Sequence, residues 1–396
     1  MGSINLDNTG SGSGITLSSD GTSLLLDGTA VGDGPTFYAE TFTATDPLPT
    51  ANGTSCFAIG AYSSASAFGT IALGYDVQAT SLSSTSIGRN SSGQGSRTAT
   101  GHGAMALGGS YASGTDSFAA AVANNTSSYG ATGNNSIAMG YQSKATGIAN
   151  INIGYQGYAI GGSGSVAIGY RARATGTNAI CLGQSGYSTA SGAQSLAIGY
   201  SANATATHSM AIGRSHTIQA QYATAIGGRN SEATSSAQYG IVTGYEAKIE
   251  IYGKSAHASG KFAAVGDAQG GQFILRADTT DATATVLTTN NSTAAATNQI
   301  AAPVNDTCIT FDGTITAMQN GAQAYASWRI EGLLVNDGGT TTLANSATTV
   351  IQNLSGWGMA LSADNTNNAL AITCTGEASH NIRWVANIRT TEVTYA

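Results

Sequence analysis

One phrase recurs through the first two thirds of this chain: a small polar residue, an apolar one, alanine, another apolar one, then glycine. It reads Ser165-Val166-Ala167-Ile168-Gly169, Ser195-Leu196-Ala197-Ile198-Gly199 and Ser209-Met210-Ala211-Ile212-Gly213. The closing glycines include Gly60, Gly74, Gly88, Gly140, Gly154, Gly169, Gly183, Gly199, Gly213 and Gly227, most often fourteen residues apart. A fixed short period marks a stacked architecture, because one unit this small cannot bury its apolar face alone. Such stacks are more often built for shape and surface than for a buried catalytic pocket.

Each unit has two halves. The first is the Ala-Ile-Gly phrase, often followed by tyrosine (Tyr75, Tyr141, Tyr155, Tyr170, Tyr200). The second is a small-residue phrase such as Ala145-Thr146-Gly147, Ala174-Thr175-Gly176 or Ala190-Ser191-Gly192. Two short strands with glycine turns fill one period. Alternation puts Leu196 and Ile198 on one face and Ala197 on the other. The larger side chains are expected inside the coil, with the flat alanine face free to press on another copy. Rungs stacked at ~4.8 Å would give a column roughly 60 Å long for a dozen turns. A coil this thin, with exposed edges, is not expected to stand as a monomer. The tyrosines read as packing ladders between rungs.

Composition closes several alternatives. Of 396 residues only 9% are charged, against roughly 25% in ordinary soluble chains. Glycine is abundant at 53 and proline scarce at 4, but the periodic Ile, Leu, Val and Met argue against disorder. Net charge is −7 with no basic patch, so no nucleic-acid partner is expected. Cys56, Cys181, Cys308 and Cys374 form no CxxC pair and set out neither a zinc site nor a disulfide framework. Within the repeats, Cys56 and Cys181 stand as small hydrophobes. The amino end lacks a charged segment followed by an apolar run, and no stretch reaches ~20 apolar residues. Membrane insertion is not expected. Synthesis in a cytoplasm is.

Three regions follow. Residues 1–54 are a non-repeating lead, in which Ile15 to Leu26 reads as a hairpin around Asp20-Gly21 and Phe37 to Phe42 as a further strand. A hairpin is marginal alone, so the lead is expected to attach to another surface. Residues 55–260 are the repeats, with insertions such as Ser91-Ser92-Gly93-Gln94-Gly95. Residues 261–396 lose the glycine period and hold all three tryptophans. Strand-like runs over Phe273–Arg276, Cys308–Phe311, Ala324–Ile330, Met359–Leu361, Leu370–Cys374 and Ile382–Ile388 predict an antiparallel β-sandwich. No helix of normal length is predicted.

The repeat phrases resemble the head repeats of trimeric autotransporter adhesins over about half of the chain. That resemblance implies a trimeric left-handed parallel β-roll. The leader, heptad stalk and four-stranded membrane anchor of that family have no counterpart in the residues given, so a membrane-anchored adhesin is not expected. The ends resemble bacteriophage tail-fibre and appendage proteins. The residues carrying this are Gly14-Ile15-Thr16-Leu17-Ser18-Ser19-Asp20-Gly21-Thr22, Gly266-Asp267-Ala268-Gln269, Trp328-Arg329-Ile330-Glu331-Gly332 and Arg383-Trp384-Val385-Ala386. Together the resemblances imply an all-β homotrimeric virion fibre, assembled in the host cytoplasm. Residues 1–54 would dock on a tail, neck or capsid protein. The terminal sandwich would face a host-surface glycan or protein.

Candidate receptor-binding residues are Trp357, between two glycines, and Tyr325. Alternation assigns Trp328 and Trp384 to a core, with Arg383 and Arg389 opposite. Asp364-Asn365-Thr366-Asn367-Asn368 alternates oxygens, but Thr375 stands where a closing acidic calcium ligand is wanted, and a hairpin loop is the simpler reading. His208 and His216 flank Gly213 and read as solvated loop residues, not as a metal site on a three-fold axis. Gly161-Gly162-Ser163-Gly164 lacks the lysine of a phosphate loop. No catalytic grouping stands out, so no cofactor, no metal and no enzyme activity are expected. A tail fibre for host attachment is the leading reading. The alternatives are a capsid or neck decoration fibre without a receptor role, and a capsule-degrading tail spike, which scarce acids disfavour.

Overall fold

The computed structural model describes residues 47–89, 97–108, 110–120, 129–184, 187–302, 306–321, 324–353 and 356–395, with the backbone of four short strands before residue 47. Every regular element among the described residues is a β-strand. The chain divides into two compact units, residues 1–164 and 165–396.

In the lead, Thr16–Ser19 and Leu24–Leu26 pair antiparallel, as the hairpin reading expects. The Asp20-Gly21 turn and Phe37–Phe42 lie outside the described residues.

The rest of the first unit is a β-solenoid. Phe57–Ile59, Ile71–Tyr75, Thr85–Arg89, Met105–Leu107, Phe118–Ala120, Ile137–Met139 and Ile151–Ile153 pair in parallel, each with the next. Shorter strands make the second wall: Thr50–Ala51, Ser64–Ala65, Val77–Ala79 and Arg97–Ala99 in one run, Gly130–Ala131, Lys144–Ala145 and Tyr158–Ala159 in another.

The register carries like residues above like. Ala58, Ala72, Ser86, Ala106, Ala119, Ala138 and Asn152 form one column, and all are buried. Ala65, Ala79, Ala99, Ala112, Ala131, Ala145 and Ala159 form the facing column, fully buried. This reverses the expected alternation: alanine points into the coil, and Ile, Leu and Met point out. The cause is thickness. The two walls approach so closely that methyls and small polar groups fill most of the space between them, with Val77 the one larger aliphatic group in this cluster. Glycine keeps the rungs close as well, since a Cβ on Gly74, at φ +134°, would overlap the Gly88 carbonyl of the next rung.

The second unit opens with a β-solenoid of the same kind. Val166–Gly169, Ile180–Gly183, Leu196–Tyr200, Met210–Arg214, Thr224–Arg229, Ile241–Tyr245 and Ser255–Ser259 pair in parallel. Cys181 occupies the inward position held by Ala167 and Ala197 on its neighbours. The column opposite runs Ala174, Ala190, Ala204, Ile218, Ala233, Ile249, so the interior widens in the last turns.

At Ser255–Ser259 the ladder changes sense. This strand pairs antiparallel with Ala268–Thr279. Ala268–Thr279 then pairs with Ile382–Thr394, that strand with Thr307–Gln319, then Tyr325–Asp337, then Thr340–Asn353, all antiparallel. A smaller sheet is centred on Ala369–Thr375, which pairs with Gly358–Asp364, Thr285–Val286 and Ile300–Ala301. Phe273, Leu275, Ile315 and Ile330 of the large sheet share one buried cluster with Leu287, Ile300, Leu370 and Ile372 of the small one. Five of the six strand-like runs read in the sequence fall within these strands, and the sixth, Ala324–Ile330, lies within Tyr325–Asp337 apart from its first residue.

Candidate functional site

The outward positions of the solenoid strands carry the first candidate surface. Ile71, Ile87, Met105 and Ile153 in the first unit, and Ile168, Ile180, Leu182, Ile226 and Ile241 in the second, are each 37–47% exposed. The buried residue in the middle of each rung, most often alanine, sets its two neighbours outward, and within each unit parallel register stacks them into an aliphatic stripe. Contiguous apolar surface of this kind marks an interaction site.

A second outward series is aromatic. His208, Tyr222 and Tyr239 occupy equivalent turns with φ near +60°. Their rings stack at 4.7 and 4.8 Å between centroids. Tyr141 and Tyr155 stack at 4.9 Å, so the tyrosine ladders read from the sequence are present. Arg214 lies over the Tyr200 ring at 5.1 Å, one rung away in register.

The four candidate aromatic residues of the last 136 positions separate cleanly. Trp328 and Trp384 are core residues, as alternation expects, at 3% and 0% exposure. Trp357 is also buried, at 3%, and packs on Trp384 at 5.7 Å. This corrects its candidacy as a surface contact. Asn353 holds the loop inward, its Nδ2 donating to the Trp357 carbonyl at 2.9 Å and its Oδ1 accepting the Trp357 N–H at 3.2 Å. Tyr325 is 48% exposed. It begins its strand opposite Met318, which lies opposite Arg383, which lies opposite Asp278. Thus a phenol, a thioether and the Arg383–Asp278 ion pair, 3.3 Å long, form one row on the outer sheet face.

The Asp364 loop is a turn. Oδ1 of Asp364 accepts the Thr366 and Asn367 N–H groups, and Oδ2 accepts the Asn367 amide at 2.7 Å. Burial alone would raise this carboxyl, but those donors hold it below the usual carboxylate range. Both oxygens face N–H groups, an arrangement that repels a cation.

Of the two histidines weighed for metal, His208 is exposed and stacked, while His216 is fully buried. The loop reading of His216 is thereby corrected. It occupies the inward place that Ala202 and Ser231 hold on adjacent rungs. A Cβ on Gly213 would strike its ring, so the glycine makes the room. His216 Nδ1 accepts the Ser231 N–H at 3.1 Å, and Nε2 donates to the Gly227 carbonyl. Burial pulls its pKa below the ordinary imidazole value.

The buried thiols are inert. Burial pushes Cys181 up to about 11 and Cys374 up to about 12, so neither offers a thiolate at neutral pH. Among the described residues no group of three or more His, Cys, Asp and Glu side chains is placed to hold a metal. No helix there is long and apolar enough to cross a membrane.

Residues 131–148, 154–185 and 190–215 match the YadA head domain repeat. These segments lie inside the solenoid. No curated protein matches the chain. Among solved structures, the chain is similar to the tailspike protein gp49 from Acinetobacter baumannii bacteriophage Fri1, a capsular polysaccharide depolymerase. The identity is 8%, over 85% of this chain and 69% of that one, with a TM-score of 0.21. A score of that size does not equate the two folds.

Proposed function

We propose that this chain is a structural, non-enzymatic fibre of a bacteriophage virion, a homotrimeric tail fibre that mediates attachment to the host surface. The observation that carries this reading is the outward aliphatic stripe on successive solenoid rungs. A chain with so few charges has little to keep such a stripe in water, and copies of itself supply a matching surface. In this reading the solenoid is a left-handed roll, three of which close over their stripes. The two antiparallel sheets of the second unit are the terminal sandwich. Residues 1–54 dock on a tail, neck or capsid protein, and residues 261–396 face outward to a host glycan or protein. The terminal phrases that resemble phage tail-fibre proteins support a virion fibre, the YadA-type repeats support a shaft, and the polarity follows the analogy with such fibres.

Antibody to the purified last domain, located with gold on intact virions, tests the proposal. Label at distal tail appendages is the expected result. Label on the capsid or collar would replace it with a decoration fibre. Hydrolysis of host capsule by the purified protein would overturn the non-enzymatic part.

A further inference from the structure

Where the solenoid gives way to the antiparallel sheet, still within the second unit, the fold forms a half-open cavity of about 560 Å³. Its size falls in the range of small-ligand sites. Lys254 and Glu392 line it, with side chains 6% and 9% exposed, and meet at 2.6 Å. The carboxylate of Glu392 is saturated. Its Oε2 accepts from Lys254 and from the Gln269 amide at 2.8 Å, and its Oε1 accepts the Thr390 hydroxyl at 2.7 Å. Gln269 is held in turn by the Lys248 backbone, whose N–H and carbonyl it engages at 2.9 Å each.

The ammonium is not saturated. Lysine has three donors. Among the described residues Nζ of Lys254 has the Glu392 oxygen as its acceptor and the Phe273 ring beside it at 5.3 Å. A buried N–H therefore remains for whatever enters the cavity.

The lining narrows the chemistry of that occupant. Lys248 pairs with Glu250 at 2.8 Å, so both lysines on the wall are neutralised. Asp267 adds a carboxylate that is turned away to accept the N–H groups of residues 262 to 264. An anion would meet a wall of net negative charge, and a cation would find no bare carboxylate. Ile251, Val265 and Ile309 add apolar surface, and Thr297 a hydroxyl. A neutral, hydroxyl-rich ring with apolar C–H faces satisfies all of these groups.

We propose that this cavity binds one neutral sugar residue of a glycan, with Lys254 donating to a ring hydroxyl or acetamido oxygen. The source of the sugar, a host surface, rests on the fibre reading; the pocket itself does not.

Saturation-transfer NMR on the full chain tests it, with methyl glucoside, methyl galactoside and methyl N-acetylglucosaminide as neutral probes and methyl glucuronide as the acidic one. Transfer to at least one neutral probe is expected, and none to the glucuronide. Ala264 and Thr297 are exposed residues of the lining, so Ala264→Trp and Thr297→Trp each plug the cavity from outside the core and should abolish transfer. The neutral replacement Lys254→Met with Glu392→Gln should weaken binding about tenfold, the equivalent of one anchoring hydrogen bond to a charged group. Silence from every neutral probe, preference for the glucuronide, or unchanged transfer in both folded tryptophan variants would overturn the pocket. Attachment of labelled protein to host cells is measured separately. Attachment that survives the plugs sinks the pocket's role and leaves the fibre standing, while sugar binding without attachment does the reverse.

Discussion

Trp328 and Trp384 stack face to face, 5.6 Å between centroids and 21° between planes, although their strands are separated by Thr307–Gln319, which pairs with both. The Trp384 indole N–H donates to the Thr279 hydroxyl at 3.0 Å, and Trp357 packs against the same ring at 5.7 Å, tilted by 57°. One ring thus ties the large sheet to the loop before the small one. Trp384→Ala should cost about 3–5 kcal/mol of stability, read by denaturant unfolding. Trp357→Ala should lower the same transition. Tyr325→Ala should leave it within about 0.5 kcal/mol, as a surface change does. Equal effects from the two would contradict this assignment.

Inward alanine makes an unusual demand on the solenoid. Ala211→Leu adds three carbons where the opposite wall leaves room for a methyl, and should destabilise by at least about 1–3 kcal/mol. Ile226, nearly half exposed at 46%, should tolerate serine without loss of rung structure. Melting by circular dichroism separates the two. If leucine is accepted at 211, alanine does not line the interior.

The outward stripe makes the complementary prediction for assembly. If the chain is the proposed trimer, charges at two stripe positions, Ile168→Lys with Ile226→Lys, should shift the mass found by light scattering from three times 39.5 kDa towards 39.5 kDa. An unchanged mass would move the contact between copies elsewhere.

Acid should loosen the second unit through His216. Its folded pKa lies below its unfolded value of about 6.5, so the unfolded chain binds the proton first. The stability it contributes is complete above about pH 6.5 and falls as pH drops towards the folded pKa. Protonation at Nδ1 also forfeits the Ser231 N–H bond. His216→Ala, matching Ala202 one rung earlier, should flatten the pH dependence of melting below about pH 6.5. A profile as steep as the parent's would exclude this histidine as its cause.

Glu392 titrates in the same direction lower on the scale. Burial alone would raise it; Lys254, Gln269 and Thr390 outweigh that and hold it below the usual glutamate value. Its contribution is present above about pH 4.3 and lost as pH falls through the folded value. Glu392→Gln, which leaves the Lys254 ammonium buried without its partner, should cost about 3–5 kcal/mol in thermal or urea unfolding.

Much of this was legible in the residues. The glycine period marks most turns, though not those of Phe118–Ala120 and Ser255–Ser259, and the alternation at Ile382-Arg383-Trp384-Val385-Ala386 places Trp384 inside. Alternation alone does not say which side of a strand is inside, and Ala197 between Leu196 and Ile198 invites the wrong choice, because the interior is set by wall spacing and not by hydrophobicity. Trp357 was hidden by its glycine neighbours, which suggest an open loop while Asn353 fastens it. The strand Thr340–Asn353 gave no signal: residues 344–352 are exposed on both faces, so nothing selects an apolar stripe. His216 had one readable clue, since it falls fourteen residues after Ala202 and in register with it.

The reversal of strand sense at Ser255–Ser259 has a consequence for size. A parallel stack can in principle be extended by any further turn of the same phrase, but the antiparallel Ala268–Thr279 occupies the place where the next turn would begin. The solenoid of the second unit therefore has a fixed stop and is graduated, like a ruler, in whole rungs. Removing one graduation, from Tyr200 through Gly213, should shorten it by a single strand spacing of ~4.8 Å and leave the stop where it is. Length in such a protein can change by duplication or loss of one phrase without redesign of the end that follows it.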